Sequence, residues 1–239
     1  MRHSFLISFL VALFLCTPLC AQNIYLLSVG ISDYWGDGND LNLPENDART
    51  VSYVYEQCGN ATVETLLNSS ASCENVKKHM TALFSKAGKN DIVVLFFSGH
   101  GSPSGFAAYD GVLEYGEIRE IFSECKSVNK MVFADACFSG KLRVPGNSTP
   151  ARGKQQNVMF FLSSRNDEMS IEAPMMKNGF FTAFLERGLR GGADNDRNRI
   201  ITAKELFDFV SKGVKEISGD KQHPVMWGNF SNSMPVIKW

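Results

Sequence analysis

The chain has 239 residues, 44% of them hydrophobic and 21% charged, an ordinary globular composition that suits one domain or a small pair. Its formal charge is −1, and it carries no basic face or aromatic-interleaved basic run, so nothing points to nucleic acid. After Arg2 and His3, an apolar stretch from Phe5 to Cys16 leads into Thr17-Pro18-Leu19-Cys20-Ala21. That is the layout of a secretory signal peptide over 1–21, too short to span a bilayer comfortably, and no second stretch is long enough to cross one. A mature domain over 22–239, secreted or periplasmic, is the expectation. Leu15 and Leu19 precede the two leader cysteines where lipidation would want a small residue. The mature part keeps Cys58, Cys73, Cys125 and Cys137. Export permits a disulfide, for which Cys58 and Cys73, flanking one strand, are the favoured pair; the plainer reading makes all but Cys137 small buried hydrophobes.

In chain order, Asn23 to Ser32 reads as a buried strand, followed by a Gly/Asp/Asn loop to Leu43. A helix starts at Glu45 or Asn46 and ends near Cys58-Gly59. Ala61 to Leu67 is a second strand, and a helix opens at Ser72 or Cys73 with apolar Val76, Met80, Leu83 and Phe84. Asp91 to Phe97 is a third strand, ending in Ser98-Gly99-His100-Gly101. Asp110-Gly111 between apolar runs signals a hairpin, and Tyr115 to Cys125 is helical. Asn129 to Ala134 and Asn157 to Leu162 are the fourth and fifth strands, separated by a loop rich in Gly, Pro, Ser and bases from Lys141 to Gln156. Helices follow at Gly179 to Leu189 and from Thr202 to about Ile217. The tail from His223 is irregular, with a last strand at its end. Strands alternating with amphipathic helices imply βαβ units: an α/β fold with a mostly parallel sheet and helices on both faces.

Two strand ends carry the chemistry. One delivers His100 between Gly99 and Gly101. The other, Phe133-Ala134-Asp135-Ala136-Cys137-Phe138-Ser139-Gly140, delivers a thiol two residues after an acid. Ligand sites of open α/β sheets lie outside such carboxyl ends. A thiol becomes a useful nucleophile when its thiolate is stabilised, and an imidazole can exchange a proton near neutral pH. The N–H groups of Gly101 and Cys137 are candidates for an oxyanion hole, where one donor is worth about 3 kcal/mol. These parts describe acyl transfer through a thioester.

Phe97-Ser98-Gly99-His100-Gly101 resembles the histidine motif of the caspase-like cysteine peptidases. Asp135-Ala136-Cys137-Phe138-Ser139-Gly140 resembles the cysteine motif of their bacterial metacaspase-like members, with Phe138 where metacaspases usually carry His. Val29-Gly30-Ile31 with Leu43-Pro44-Glu45-Asn46-Asp47-Ala48 resembles the family's opening. Ser163-Ser164, Glu168 to Glu172 and Gly179-Phe180-Phe181-Thr182 resemble its later half, so the match covers most of 23–216. The resemblance implies a caspase-like three-layer sandwich with a sheet of about six strands. It implies that Cys137 attacks the scissile carbonyl, that His100 protonates the leaving amine, and that Ser163 and Ser164 line the substrate strand. By the same resemblance Asp135 and Asp47 line an acidic pocket. Two carboxylates there would favour a guanidinium or ammonium, so the expected activity is an endopeptidase cutting peptides after Arg or Lys. For Asp47 alone, a helix-start acid facing the macrodipole is the bland alternative.

Other classes remain open: a non-catalytic caspase-like interaction module, and a cysteine hydrolase of a non-peptide amide. Lys141, Arg143, Arg152 and Lys154 make the loop after the nucleophile either a solvated basic loop or a self-cleavage segment. No cofactor is required by this chemistry. Asp194, Asp196, Asn198 and Glu205 fit calcium-loop positions, although Arg199 sits where the sharp turn wants Gly; the alternative is an acidic turn feeding a helix capped by Thr202 and Glu205.

Overall fold

A computed structural model describes residues 22–36, 38–102, 104–136, 158–165 and 176–238. The core is a six-stranded sheet. Its strands are β1 (Ile24–Gly30), β2 (Ala61–Leu67), β3 (Ile92–Ser98), β6 (Asn129–Asp135), β7 (Val158–Leu162) and β9 (Val225–Gly228), in the order β2-β1-β3-β6-β7-β9. The first five are parallel, and β9 adds antiparallel to β7. A hairpin of β4 (Gly105–Ala108) and β5 (Gly111–Glu114) and a small pair of β8 (Ile200–Thr202) with β10 (Pro235–Lys238) stand outside it.

The side-chain period of two sorts each central strand between two separate cores. Val93, Leu95 and Phe97 of β3 face one side, with Val132 and Ala134 of β6 and Phe160 and Leu162 of β7. Helices α2 (Cys73–Phe84) and α3 (Tyr115–Glu124) cover them through Val76, Met80, Phe84, Ile118 and Phe122. Ile92, Val94 and Phe96 face the other side, with Met131, Phe133, Met159 and Phe161. There α1 (Pro44–Glu56), α4 (Phe180–Arg187) and α5 (Ala203–Ser218) close the layer through Val51, Tyr55, Phe181, Leu185, Leu206 and Val210. A single π-helical turn, Gly188–Gly192, follows α4. Because central strands of a covered parallel sheet are buried on both faces, they read as unbroken apolar runs.

Local chemistry explains the helix ends. Pro44, lacking an N–H, opens α1 one residue ahead of the expected start. Ser72 Oγ accepts from the Asn75 N–H and caps α2. At α5 the expected capping box forms: Thr202 Oγ1 accepts from the Glu205 N–H, and Glu205 Oε2 accepts from the Thr202 N–H. Buried Lys130 donates from Nζ to the Phe122 carbonyl at 2.7 Å, placing a cation at the carboxyl end of α3.

The hairpin turn falls on Tyr109 and Asp110, one residue before the Asp-Gly signal, because Ala108 pairs with Gly111. The expected Cys58–Cys73 disulfide is absent. Cys58, Cys73 and Cys125 are free thiols. Cys58 packs in the α1 face of the sheet, and Cys73 packs against the α2–α3 face, so the sheet stands between them. No helix among the described residues is long and apolar enough to cross a membrane.

Phe161 is the centre of the α4–α5 face. Its ring is 4.9 Å from Phe181, 5.5 Å from Phe207 and 6.2 Å from Phe133. Phe161→Ala is expected to cost about 3–5 kcal/mol, from lost transfer energy plus the cavity left behind. Urea unfolding checks this as a lowered midpoint at unchanged slope.

Candidate active site

The carboxyl ends of β3 and β6 lie side by side, with Phe97 paired to Ala134 and Ser98 to Asp135. One backbone bond, Gly99 N–H to the Asp135 carbonyl at 3.2 Å, ties the histidine turn to the strand that leads to Cys137. Cys137 itself lies outside the described residues, as do Lys141, Arg143, Arg152 and Lys154.

His100 is half-buried and held on three sides. Its N–H donates to Tyr34 Oη at 2.9 Å, and that hydroxyl donates to the Ala107 carbonyl at 3.1 Å. The Tyr34 ring lies 4.8 Å from the imidazole. His100 Nε2 stands 2.7 Å from the Asn39 carbonyl oxygen. A carbonyl only accepts, so Nε2 must carry the proton, and in the neutral ring Nδ1 keeps the free lone pair. Nδ1 is then the atom available to exchange a proton with a reacting group. Gly99 makes the approach feasible, since a Cβ there would sit 2.4 Å from Tyr34 Oη. Gly101 bridges to Phe106 through bonds made by its neighbours, His100 O with Ala107 N and Ser102 N with Gly105 O, so its own N–H is not used in the bridge.

Asp47 and Asp135 come together behind this turn. Asp135 ends β6 on the same face as Phe133, and Ser98 ends β3 on the same face as Phe96, so both point toward α1 and α4. Asp47 is in the first turn of α1, but its side chain turns inward and is 2% exposed, against 6% for Asp135. Asp47 Oδ2 accepts from Ser98 Oγ at 2.8 Å. Its Oδ1 accepts from Asn178 Nδ2 at 2.8 Å and from the Gly179 N–H at 3.1 Å. Asp135 Oδ2 accepts from the Thr182 N–H at 3.1 Å and from Thr182 Oγ1 at 2.9 Å. Burial first, and the Asp135 charge second, push the Asp47 carboxyl up to about 8, against the pull of its three donors. The arrangement is two carboxyl groups buried against one another, which resist being ionised together.

Ser163 and Ser164 are fully buried at the end of β7. Ser163 Oγ accepts from the Ala136 N–H at 3.2 Å and donates to the Ala136 carbonyl at 3.3 Å, so it braces the residue before Cys137. Gln222 Nε2 bonds the Ser163 carbonyl from the other side.

The 194–205 loop gathers Asp194, Asp196 and Glu205, with carboxylate oxygens within 4.8 Å of one another. These hard oxygen donors are of the kind calcium takes. The loop also satisfies them itself. Asp194 accepts from the N–H groups of Asn198 and Arg199, Asp196 from Asn198, and Glu205 from the N–H groups of Asn195 and Thr202. Arg199 adopts φ 65, the left-handed turn that Gly would favour.

Sequence reasoning missed several contributors. The Asn39 carbonyl has no signature, since every residue offers one. Tyr34 lay in a stretch read only as loop. Ser98 and Thr182 stood inside quoted motifs without a role, and Asn178 was one residue before one. The usable signal was a polar residue at each strand or helix end facing the same corner.

The caspase-domain family model matches residues 25–233. The chain belongs to the caspase-domain family. It is therefore a member of a family of cysteine peptidases, whose substrates are proteins. Similar solved structures include protein GSU0716 of Geobacter sulfurreducens, 17% identical, covering 87% of this chain and 94% of that one with a TM-score of 0.67. Caspase-1 of Spodoptera frugiperda is 16% identical, covers 88% of both chains and gives a TM-score of 0.65. At these identities the likeness concerns the fold. No curated protein matches the sequence. Within this caspase domain the histidine motif and the first residues of the cysteine motif, Asp135 and Ala136, fall at the ends of adjacent central strands.

Proposed function

We propose that this caspase domain is an exported cysteine endopeptidase that hydrolyses peptide bonds after Arg or Lys. The observation that carries the reading is the buried Asp47–Asp135 pair behind the His100 turn. Two carboxyl groups this close resist ionising together; an incoming guanidinium or ammonium favours their ionised form, whereas an acidic side chain adds a further negative charge.

In the proposed reaction the Cys137 thiolate adds to the scissile carbonyl carbon. The N–H groups of Gly101 and Cys137 stabilise the oxyanion. The C–N bond breaks as His100 Nδ1–H protonates the departing amine, leaving a thioester and a neutral imidazole. Water then adds to the thioester while Nδ1 takes its proton. Collapse releases the new carboxyl group and returns the thiolate beside a protonated ring. The Asn39 carbonyl holds Nε2–H throughout and keeps the ring aimed. No cofactor is needed for these steps. The leader-like residues 1–21 place the reaction outside the cytoplasm in this reading.

Labelling with an acyloxymethyl ketone bearing Arg is the test. The wild type is expected to gain one adduct at Cys137 by intact-mass and peptide analysis, and Cys137→Ala none. The same spectra read whether the chain is cut after Lys141, Arg143, Arg152 or Lys154. A positional-scanning peptide library, run with calcium and with EGTA, should give Arg and Lys alone before the cut. No adduct and no turnover would favour an interaction module. An adduct without peptide turnover would favour a non-peptide amide.

A further inference from the structure

We infer that Thr182 is a positioning residue for specificity: the first turn of α4 fixes the Asp135 carboxylate in the orientation that shares a substrate cation with Asp47. This rests on the Arg/Lys reading of the pocket and adds to it the element that builds the pocket.

Three features of one short segment support it. Thr182 gives two donors to a single oxygen, Asp135 Oδ2: its backbone N–H at 3.1 Å and its hydroxyl at 2.9 Å. An N–H in the first turn of a helix lacks an intrahelical acceptor and lies at the positive end of the dipole, so it suits a carboxylate. Gly179, just before α4, lets that oxygen come close. A Cβ at 179 would lie 2.4 Å from Asp135 Oδ2. The same segment reaches the other carboxylate through the Gly179 N–H and Asn178 Nδ2, both on Asp47 Oδ1. Residues 178–182 therefore hold both acids at once, although they reach neither His100 nor the Asn39 carbonyl in any contact described above. The hydroxyl of Thr182 is fully buried and stands beside a helix whose apolar residues face inward. A Val would fill that place equally well, so packing alone does not call for an oxygen there.

Thr182→Val keeps the shape and the N–H and removes only the hydroxyl. A hydrogen bond to a charged acceptor is worth roughly a tenfold change or somewhat more in an equilibrium constant. The KM for a peptide amide with Arg before the cut, and the Ki of agmatine as a guanidinium competitor, are each expected to rise about tenfold. The kcat should fall by less than about threefold, and the rate of Cys137 alkylation by iodoacetamide should stay at the wild-type value. Thr182→Ser, which restores the oxygen, should return KM and Ki to within about threefold of wild type.

Unchanged KM and Ki in Thr182→Val would overturn the inference, and so would an equal loss in Thr182→Ser, which would mark a packing role. The parent reading fails separately: full Arg cleavage by Asp135→Ala would remove the pocket itself, whereas loss in Asp135→Ala with normal Thr182→Val removes only the role of Thr182. If turnover is too slow to measure, carboxyl 13C NMR of Asp-labelled protein gives the answer. The Asp135 titration should move to higher pH in Thr182→Val, and also in Thr182→Ala if the Val variant folds poorly; no movement overturns the inference.

Discussion

Asp135→Ala should lower kcat/KM for peptides cut after Arg or Lys by about 10²–10³-fold, with the fold intact. The magnitude follows from removing one partner of a buried, hydrogen-bonded charge contact. The loss should fall on KM and kcat together, since a side chain that no longer seats in the pocket also loses its scissile carbonyl from the reacting position. Reactivity of Cys137 toward a small alkylating agent should persist, because that step does not use the pocket. Asp47 should respond too: with the neighbouring charge gone, one of the two causes that raise its carboxyl disappears, and its titration moves toward the ordinary range. Peptidase assays on Arg, Lys and norleucine peptides, with NMR titration of Asp47, check both parts. Undiminished Arg cleavage would refute the pocket assignment.

Asp47→Asn tests the same corner through stability. The folded carboxyl of Asp47 is raised, so the native state keeps a proton that the unfolded chain gives up. For a raised acid the folded state is favoured most below the unfolded pKa, near 4, and that advantage is lost as pH rises to about 8. The wild type should therefore become less stable across pH 4 to 8, by a few kcal/mol at most from this group. Asn keeps an acceptor for Asn178 and Gly179 and can donate to Ser98, and it does not titrate. The variant should thus gain stability over wild type at pH 8 and differ little near pH 4, while cleavage after Arg weakens. Substrate affinity in the wild type should improve over the same rise in pH, since the cation pairs with the ionised form. Thermal unfolding in a pH series, together with KM against pH, measures these opposite trends. A wild-type stability that stays flat from pH 4 to 8 would contradict the buried-pair account.

Much of this was legible in the chain. The apolar runs Ile92–Phe97 and Met131–Ala134, short and bounded by polar residues, are of the kind that strands buried on both faces produce. The pairing of Asp47 with Asp135 followed from the resemblance, and their burial agrees with two acids kept for a purpose other than solubility. Less visible was β9. Val225, Met226 and Trp227 are only partly buried and Gly228 is exposed, Trp227 stacks on Phe160, and the strand's place on the sheet depends on a partner strand more than sixty residues away. Short strands of that kind are settled by tertiary pairing, which a local reading cannot see. The disulfide expectation failed for a related reason. Sequence distance placed Cys58 near Cys73, but the parallel crossover sends the chain from one face of the sheet to the other between them. The contacts of His100 were hidden for another reason again, since every residue offers a carbonyl like that of Asn39, and its place beside Nε2 comes with a loop contact, Tyr34 N–H to Asp40 Oδ1, that has no sequence signature.

The two cores divided by the sheet also divide the labour of the site. His100 is steadied from the side of Tyr34, Phe106 and Tyr115, which belong to the α2–α3 core; Phe106 stacks on Phe97 at 4.4 Å and meets Tyr115 edge-on. Asp47 and Asp135 are steadied by α1 and α4, which belong to the opposite core. The two sets meet at the strand ends, where Ser98 bonds Asp47 and the Gly99 N–H bonds the Asp135 carbonyl, but most of their bracing comes from different layers. In the reading proposed above, the residues that recognise a side chain and those that move protons are thus braced mainly by opposite layers, which would let the diet of such a peptidase drift faster than its chemistry.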